Sequence, residues 1–324
     1  MTDAAHYLAL CGGVGGAKLA DGLAQLLPMG ALTVAVNVGD DFSHLGLTIC
    51  PDLDTVVYAL SDRENPMTGW GRRNESWCAM DELAAMGGDT WFKLGDKDIA
   101  LHLLRLQGLA AGASLSEVTA QLCARMNIRH AVSPVTDQPV RTHVQTNEGE
   151  LPFQQYFVRR RCEPVVTGFT FRGAEQAQLA SPVLDALNAP NLAGVIICPS
   201  NPYVSIGPML AIAQLRTHLS NRRCPCVAVS PIVGGDALKG PAAKMMRELG
   251  FPVNSVTVAR YYGGLADEIL IDHRDAADIS CRNPGDPGLA LANTVMSTRR
   301  DRVSLARICI DRLQALAGSS AQKD

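Results

Sequence analysis

Four of the five residues 12–16 are glycines, and this turn follows an apolar run, residues 7–10, that predicts a first β-strand. Glycines let a backbone approach a ligand closely, and the helix expected from about Ala17 would offer free N–H groups and a positive dipole end. Phosphate suits such a turn. We therefore predict that a phosphate-bearing nucleotide contacts Gly12, Gly13, Gly15, Gly16 and Lys18. A tight strand-to-helix turn without a ligand is the alternative.

The turn matches neither of the two standard nucleotide-binding motifs. A P-loop needs glycine and lysine side by side, whereas Ala17 separates Gly16 from Lys18. A dinucleotide fingerprint needs its third glycine where Lys18 stands. A nicotinamide-dependent dehydrogenase is therefore disfavoured.

Four aspartates follow the second predicted strand, residues 32–37, within a short stretch. They are Asp40, Asp41, Asp52 and Asp54. Because the carboxyl ends of parallel strands meet at one edge of a sheet, we expect these carboxylates near the glycine turn. Carboxylates beside a phosphate would repel it unless a cation intervenes, and Mg²⁺ is the usual bridge. Asp54 could instead cap a helix predicted for residues 55–60.

Two further segments carry candidate polar groups. Lys93 lies between aromatic and apolar neighbours, where it could face an anionic or carbonyl-bearing ligand, and Asp98 could cap a helix over residues 99–106 or act in a site. Small hydroxyl and amide groups follow a strand predicted for residues 194–198 and could cradle an anion or a base. These candidates are Ser200, Asn201, Ser205 and Gly207. A plain proline-rich turn is the alternative there.

Alternating short apolar runs and helical patterns position these segments, and the alternation predicts βαβ units. We predict an α/β fold, with a doubly wound, mostly parallel Rossmann-like sheet, a helical segment and a small β-rich insertion. Residues 1–130 and 172–318 would form the nucleotide-binding core, with residues 63–125 mostly helical. Residues 131–171 would be an inserted β-rich subdomain, and residues 319–324 a polar tail.

Composition narrows the classes of partner. The 324 residues have a formal net charge of −3, which provides no basic field for nucleic acid. No apolar run reaches the length of a membrane span, and the first residues lack the pattern of a signal peptide. We therefore expect small-molecule substrates, no nucleic-acid or membrane partner, and a cytoplasmic location.

Taken in order along the chain, the motifs resemble those of the 2-phospho-L-lactate transferase family. The matching segments are residues 12–18 (GGVGGAK), 37–41 (NVGDD), 51–55 (PDLDT), 93–98 (KLGDKD), 200–202 (SNP), 205–208 (SIGP) and 230–232 (SPI). Each segment is short, whereas the ordered set runs from about residue 8 to residue 298 and covers nearly the whole chain.

The resemblance implies a transferase of deazaflavin coenzyme F-420 biosynthesis. Such an enzyme moves a phosphorylated three-carbon acid from a guanosine diphosphate-linked donor to the ribityl hydroxyl of 7,8-didemethyl-8-hydroxy-5-deazariboflavin. GMP is released, and Mg²⁺ is the cofactor. The resemblance also implies that Asp54 and Lys93 contact the acceptor. Lactyl, enolpyruvyl and glyceryl donors all remain open, because Lys239 stands before Gly240 where the family often has a small residue.

We hypothesise that Asp40, Asp41 and Asp54 are the catalytic carboxylates, and that they hold Mg²⁺ or position the acceptor hydroxyl, one of them as general base. A homodimer is expected, as is common for folds of this class. The main rival is a non-catalytic regulatory protein that binds a nucleotide sugar on a similar glycine turn.

Overall fold

A seven-stranded sheet forms the centre of the molecule in the computed structural model, which describes residues 4–320. In chain order the strands are β1 (His6–Cys11), β2 (Leu32–Val36), β3 (Phe42–His44), β4 (Leu47–Ile49), β5 (Ala131–Pro134), β6 (Arg141–Thr146), β7 (Gly149–Pro152), β8 (Val166–Arg172), β9 (Leu192–Ile197), β10 (Cys226–Val229), β11 (Ile232–Val233), β12 (Asp236–Ala237), β13 (Glu268–Asp272) and β14 (Gly288–Ala292). The order across the central sheet is β14-β13-β10-β9-β1-β2-β5, and every neighbouring pair is parallel.

Helices cover both faces of this sheet. They are α1 (Gly13–Leu26), α2 (Pro51–Leu60), α3 (Cys78–Ala85), α4 (Asp96–Ala110), α5 (Leu115–Arg125), α6 (Ser181–Asn188), α7 (Gly207–Leu210), α8 (Ala213–Ser220), α9 (Ala242–Glu248), α10 (Ser255–Tyr261) and α11 (Arg299–Ser320), with π-helical segments at Gln155–Arg159 and Pro202–Ile206 and a 3-10 segment at His273–Cys281. Side chains along β1 alternate between the two layers, since Leu8 and Leu10 pack in one core cluster while Tyr7 and Ala9 pack in the other. The predicted α/β fold with a doubly wound parallel sheet is confirmed.

The chain changes direction across the sheet between β1 and β9. From β1 it builds outward through β2 to β5, and from β9 it builds the other way through β10 and β13 to β14. The loops after β1 and β9 therefore leave in opposite directions and open a crevice at the carboxyl ends of these strands, where doubly wound sheets bind ligands.

The region between residues 131 and 172 contains both kinds of sheet. Strand β5 is the edge of the central sheet, whereas β6, β7 and β8 form a separate antiparallel sheet in the order β7-β6-β8. This small sheet lies mostly within residues 131–171, the range predicted to form a β-rich insertion. The division of the chain into domains stays a prediction.

The C-terminal helix α11 is 22 residues long and packs on α1. It extends through Ser320, so residues 319 and 320 are helical, and the rest of the predicted polar tail, residues 321–324, lies outside the described residues. Among residues 4–320, no helix is both long and apolar enough to cross a membrane.

Candidate active site

A cavity of about 1000 Å³ lies at the carboxyl edge of the sheet, in the crevice between the loops after β1 and β9. Most of the predicted site residues line it. These are Gly12, Gly13, Gly15, Lys18, Asp40, Asp54, Lys93, Ser200, Asn201 and Ser205. Gly16, Asp41 and Gly207 do not line this cavity. The carboxyl ends of the strands therefore place side by side residues that are up to 193 positions apart in the chain, from Gly12 to Ser205.

Helix α1 begins at Gly13 rather than near Ala17, so the glycines form its first turn. Gly13 has a φ of +64°, which favours glycine. At Gly15 a Cβ atom would lie 2.3 Å from the carbonyl oxygen of Pro199, so the loop after β9 can lie against α1 only because Gly15 has no side chain. Gly16 is buried below this contact, beside Ser200.

The Asp52 carboxylate lies against the start of α1. Its Oδ1 accepts a hydrogen bond from the N–H of Gly13 at 2.7 Å, and its Oδ2 accepts one from the amide of Asn37 at 2.9 Å. The same amide is 3.4 Å from Oδ1 of Asp40. Asn37 thus bridges two buried carboxylates, one from the loop after β2 and one from the first turn of α2.

The carboxylates of Asp40 and Asp52 are buried close together, which disfavours their charged forms. Burial raises the pKa of Asp52 to about 6. Burial also raises the pKa of Asp40 well above its ordinary value, and the nearby charges of Asp52 and Asp41 raise it further. Two carboxylates in this state favour a cation between them. Asp52 belonged to the aspartate cluster seen in the sequence but was left out of the predicted catalytic set.

Asp41 and Asp54 have different surroundings from this pair. Asp41 is buried and lines a second cavity, and burial raises its pKa to about 7, although Arg141 opposes the shift. Asp54 lies inside α2 rather than at its cap, and both of its oxygens contact the guanidinium of Arg105 on α4. Arg105 therefore compensates the Asp54 charge in a place where both side chains are almost fully buried.

Arg105 was missed by the sequence analysis, although its position carries a signal. It stands four residues after Leu101 and three after His102, and those two side chains are also buried, so one face of α4 combines an apolar, an imidazole and a guanidinium group. Burial lowers the pKa of His102 to about 4, which keeps the ring neutral beside the Asp54–Arg105 pair.

Aromatic and polar groups form the other end of the cavity. Lys93 lies exposed next to Trp91 and Phe92. Asp98 does not cap α4, which begins at Asp96; its carboxylate instead accepts a hydrogen bond from the hydroxyl of Tyr58 at 2.7 Å.

The loop after β9 supplies the opposite wall. The Ser200 hydroxyl accepts a hydrogen bond from the N–H of Gly12 at 3.1 Å, and Asn201 caps the π-helical segment that carries Ser205. Gly207 directly follows this segment, and a Cβ there would be 2.9 Å from the Tyr261 hydroxyl, so the residue packs closely against Tyr261 and does not line the cavity.

Comparison with known proteins identifies this architecture. The family model described as 2-phospho-L-lactate transferase CofD matches residues 8–285. The chain belongs to this family. The match covers the glycine turn, the aspartates, Lys93 and the loop after β9, so most of the cavity lining falls within the matched residues, whereas residues 294–297 of the lining lie beyond them.

Curated relatives have the same length range and are named as transferases. A phosphoenolpyruvate transferase of Streptomyces griseus is 42% identical over 280 residues, which is 85% of this chain and 87% of that protein. A 2-phospho-L-lactate transferase of Methanosarcina mazei is 36% identical over 299 residues, or 92% of this chain and 97% of that protein. This family member is accordingly a transferase, and the non-catalytic alternative is not supported.

Solved structures agree on the fold. A member of the UPF0052 family from Bacillus halodurans aligns with a TM-score of 0.62 at 14% identity and covers 96% of this chain and 100% of that chain. At this identity the likeness concerns the fold alone.

Proposed function

We propose that the protein transfers a phosphorylated three-carbon acid from a guanosine diphosphate-linked donor to the ribityl hydroxyl of 7,8-didemethyl-8-hydroxy-5-deazariboflavin, with release of GMP, in coenzyme F-420 biosynthesis. The observation that carries the proposal is the buried pair Asp40 and Asp52 at the N-terminal end of α1, inside a cavity large enough for two substrates. A diphosphate placed there needs a cation, and a cation placed there needs anionic oxygens.

The residues present fit Mg²⁺. Asp40 and Asp52 offer oxygen ligands whose charges are not balanced by any ion pair with a described basic residue. No group of three or more His, Cys, Asp or Glu side chains among residues 4–320 forms a ready metal site, so diphosphate oxygens would complete the coordination shell. We therefore assign Mg²⁺ to Asp40 and Asp52 instead of the predicted set Asp40, Asp41 and Asp54. When bound, Mg²⁺ neutralises the non-bridging oxygens of the diphosphate.

The remaining groups of the cavity would bind and orient the substrates. The first turn of α1 and Lys18 would hold the diphosphate, while Asn201 and Ser205 would contact the rest of the donor. Asp54, kept in place by Arg105, and Lys93 would position the acceptor. The acceptor oxygen then forms a bond to the phosphorus that carries the three-carbon acid, the bond to the GMP oxygen breaks, and the hydroxyl proton passes to a cavity carboxylate.

The direct test is formation of GMP. The protein is incubated with the deazariboflavin, Mg²⁺ and in turn the lactyl, enolpyruvyl and glyceryl donors, and nucleotides are separated by chromatography. We expect GMP with at least one donor, in an amount equal to the coupled deazaflavin product, and none in the presence of EDTA. Absence of GMP with all three donors would overturn the proposal. The expected homodimer and cytoplasmic location stay predictions, which gel filtration and cell fractionation would check.

A further inference from the structure

A second cavity of about 550 Å³ adjoins the proposed active site. Asp40, Trp91, Phe153 and Gln154 line both cavities, so they form a shared wall. The other walls come from β3, from the start of β6 and from residues 152–155. We call this cavity the side pocket.

Four buried polar atoms in the side pocket have no hydrogen-bond partner within the described part of the chain. They are Asp41 Oδ1, His44 Nε2, Thr142 Oγ1 and Gln154 Oε1. Their residues are only 3%, 6%, 2% and 5% exposed, respectively. Buried polar atoms in folded proteins almost always have a partner. Four such atoms around one cavity therefore indicate a ligand that supplies the missing hydrogen bonds.

The atoms in question are mainly acceptors. The Gln154 amide nitrogen donates to the carbonyl of Asp40 at 3.2 Å, which leaves Oε1 facing the pocket. Burial lowers the pKa of His44, although the charge of Asp89 and a hydrogen bond to the backbone of Phe92 oppose the shift. The neutral ring donates to that backbone, and its Nε2 is left as an acceptor. Thr142 can donate or accept. The matching ligand carries several hydrogen-bond donors at short spacing.

The charges of the pocket disfavour an anionic ligand. Asp40, Asp41 and Asp89 line it, whereas the guanidinium of Arg141, which donates to the carbonyls of Val38 and Val140 at 3.2 and 2.9 Å, offsets only part of their charge. A chain of neighbouring hydroxyl groups carries donors at short spacing and no negative charge, because each hydroxyl donates one hydrogen bond and can accept others.

We infer that the side pocket binds the hydroxyl groups of the acceptor's ribityl chain. This inference rests on the proposed function and adds a subsite to it. Trp91 in the shared wall would contact the start of the chain, and Asp40 in the same wall would lie beside its reacting end. Asp41, His44, Thr142 and Gln154 would then select an acceptor by its hydroxyl groups, and Asp41 would act in acceptor binding.

Thr142→Val tests the inference, because it removes one hydroxyl and preserves the shape of the side chain. We expect the KM for the deazariboflavin to rise about tenfold, with kcat nearly unchanged, since a site built around hydroxyl groups loses binding when one partner is removed. An acceptor analogue whose chain keeps only its terminal hydroxyl should show the same KM with the variant and with the unmodified protein. Thr167→Val, at an exposed position of the small sheet, is the matched control.

Calorimetric titration with the deazariboflavin or the analogue, in the absence of donor, measures the affinity of each protein for each acceptor. This comparison needs no turnover, so it can also be made with an inactive protein. His44→Phe, which keeps the ring contact with Trp91, provides a second variant should Thr142→Val fold poorly. An unchanged KM and affinity in both variants, or an equal rise for the full acceptor and the analogue, would overturn the inference. Lack of GMP together with normal acceptor binding would instead contradict the proposed function alone.

Discussion

The Asp52 carboxylate accepts a hydrogen bond from the backbone N–H of Gly13 at 2.7 Å, so the first turn of α1 already faces an anion. A helix N-terminus with free N–H groups attracts phosphate directly. Here a phosphate would meet the negative charge of Asp52, and of Asp40 beside it, and a cation between them removes that repulsion. We therefore expect nucleotide binding to depend on a metal ion.

Asp52→Asn should abolish this dependence. We expect turnover to fall by at least about 100-fold, because a ligand of the proposed metal is lost, while the amide can still accept the hydrogen bond from Gly13. Mg²⁺ should raise the melting temperature of the unmodified protein in the presence of GDP and have little effect on the variant. Steady-state kinetics and thermal melts measure both effects. Asp185→Asn, on the exposed face of α6, is the control, and normal turnover of Asp52→Asn would contradict the metal assignment.

Arg105→Met should destabilise the protein strongly. The substitution leaves the Asp54 carboxylate buried without its partner. Removing one member of a buried ion pair lowers the free energy of unfolding by about 3–5 kcal/mol. Urea denaturation gives the free energy of unfolding. Adding Asp54→Asn to Arg105→Met should recover a large part of the loss, because no buried charge then remains unpaired. Arg160→Met, which breaks an exposed ion pair with Glu148, should change stability by less than about 1 kcal/mol.

The fold and the place of the site could be predicted because hydrophobic periodicity reports strands and helices, and parallel strands end at one edge. The roles within the aspartate cluster could not. They depend on the start of α2 at Pro51, which directs Asp52 toward Gly13. Asp54 is two residues later, about 200° further around the helix, and therefore points toward Arg105. The proline before the aspartates was a usable helix-start signal. The partner of Asp54 lies 51 residues away, and no spacing rule connects them.

Asp98 should make the protein less stable as pH rises. Burial raises its pKa to about 6, opposed by the hydrogen bond from Tyr58, whereas an unfolded aspartate titrates near about 3.9. Between these values the folded state binds more protons than the unfolded state, so the free energy of unfolding falls with increasing pH. Asp98→Asn lacks this titration and keeps an acceptor for Tyr58.

The measurement is the difference in unfolding free energy between Asp98→Asn and the unmodified protein at pH 5 and pH 7.5. We expect the difference to shift in favour of the variant by about 1 kcal/mol at the higher pH. Comparing the two proteins at each pH removes the contributions of other groups, including His102, whose lowered pKa acts in the opposite direction. A constant difference would show that the Asp98 pKa is ordinary.

Gly15→Ala should damage both stability and donor binding. The new Cβ would lie 2.3 Å from the backbone carbonyl of Pro199, and neither backbone can move without separating α1 from the loop after β9. Overpacking of this kind costs about 1–3 kcal/mol. Because the displaced loop carries Ser200 and Asn201, the KM for the donor should rise more than the KM for the acceptor.

Gly318→Ala is the control, because it lies in α11 with no atom near the added Cβ. This substitution should leave the kinetics unchanged and stabilise the helix by roughly a few tenths of a kcal/mol. Equal effects of Gly15→Ala on both KM values would mean that the loop after β9 does not belong to the donor half of the cavity.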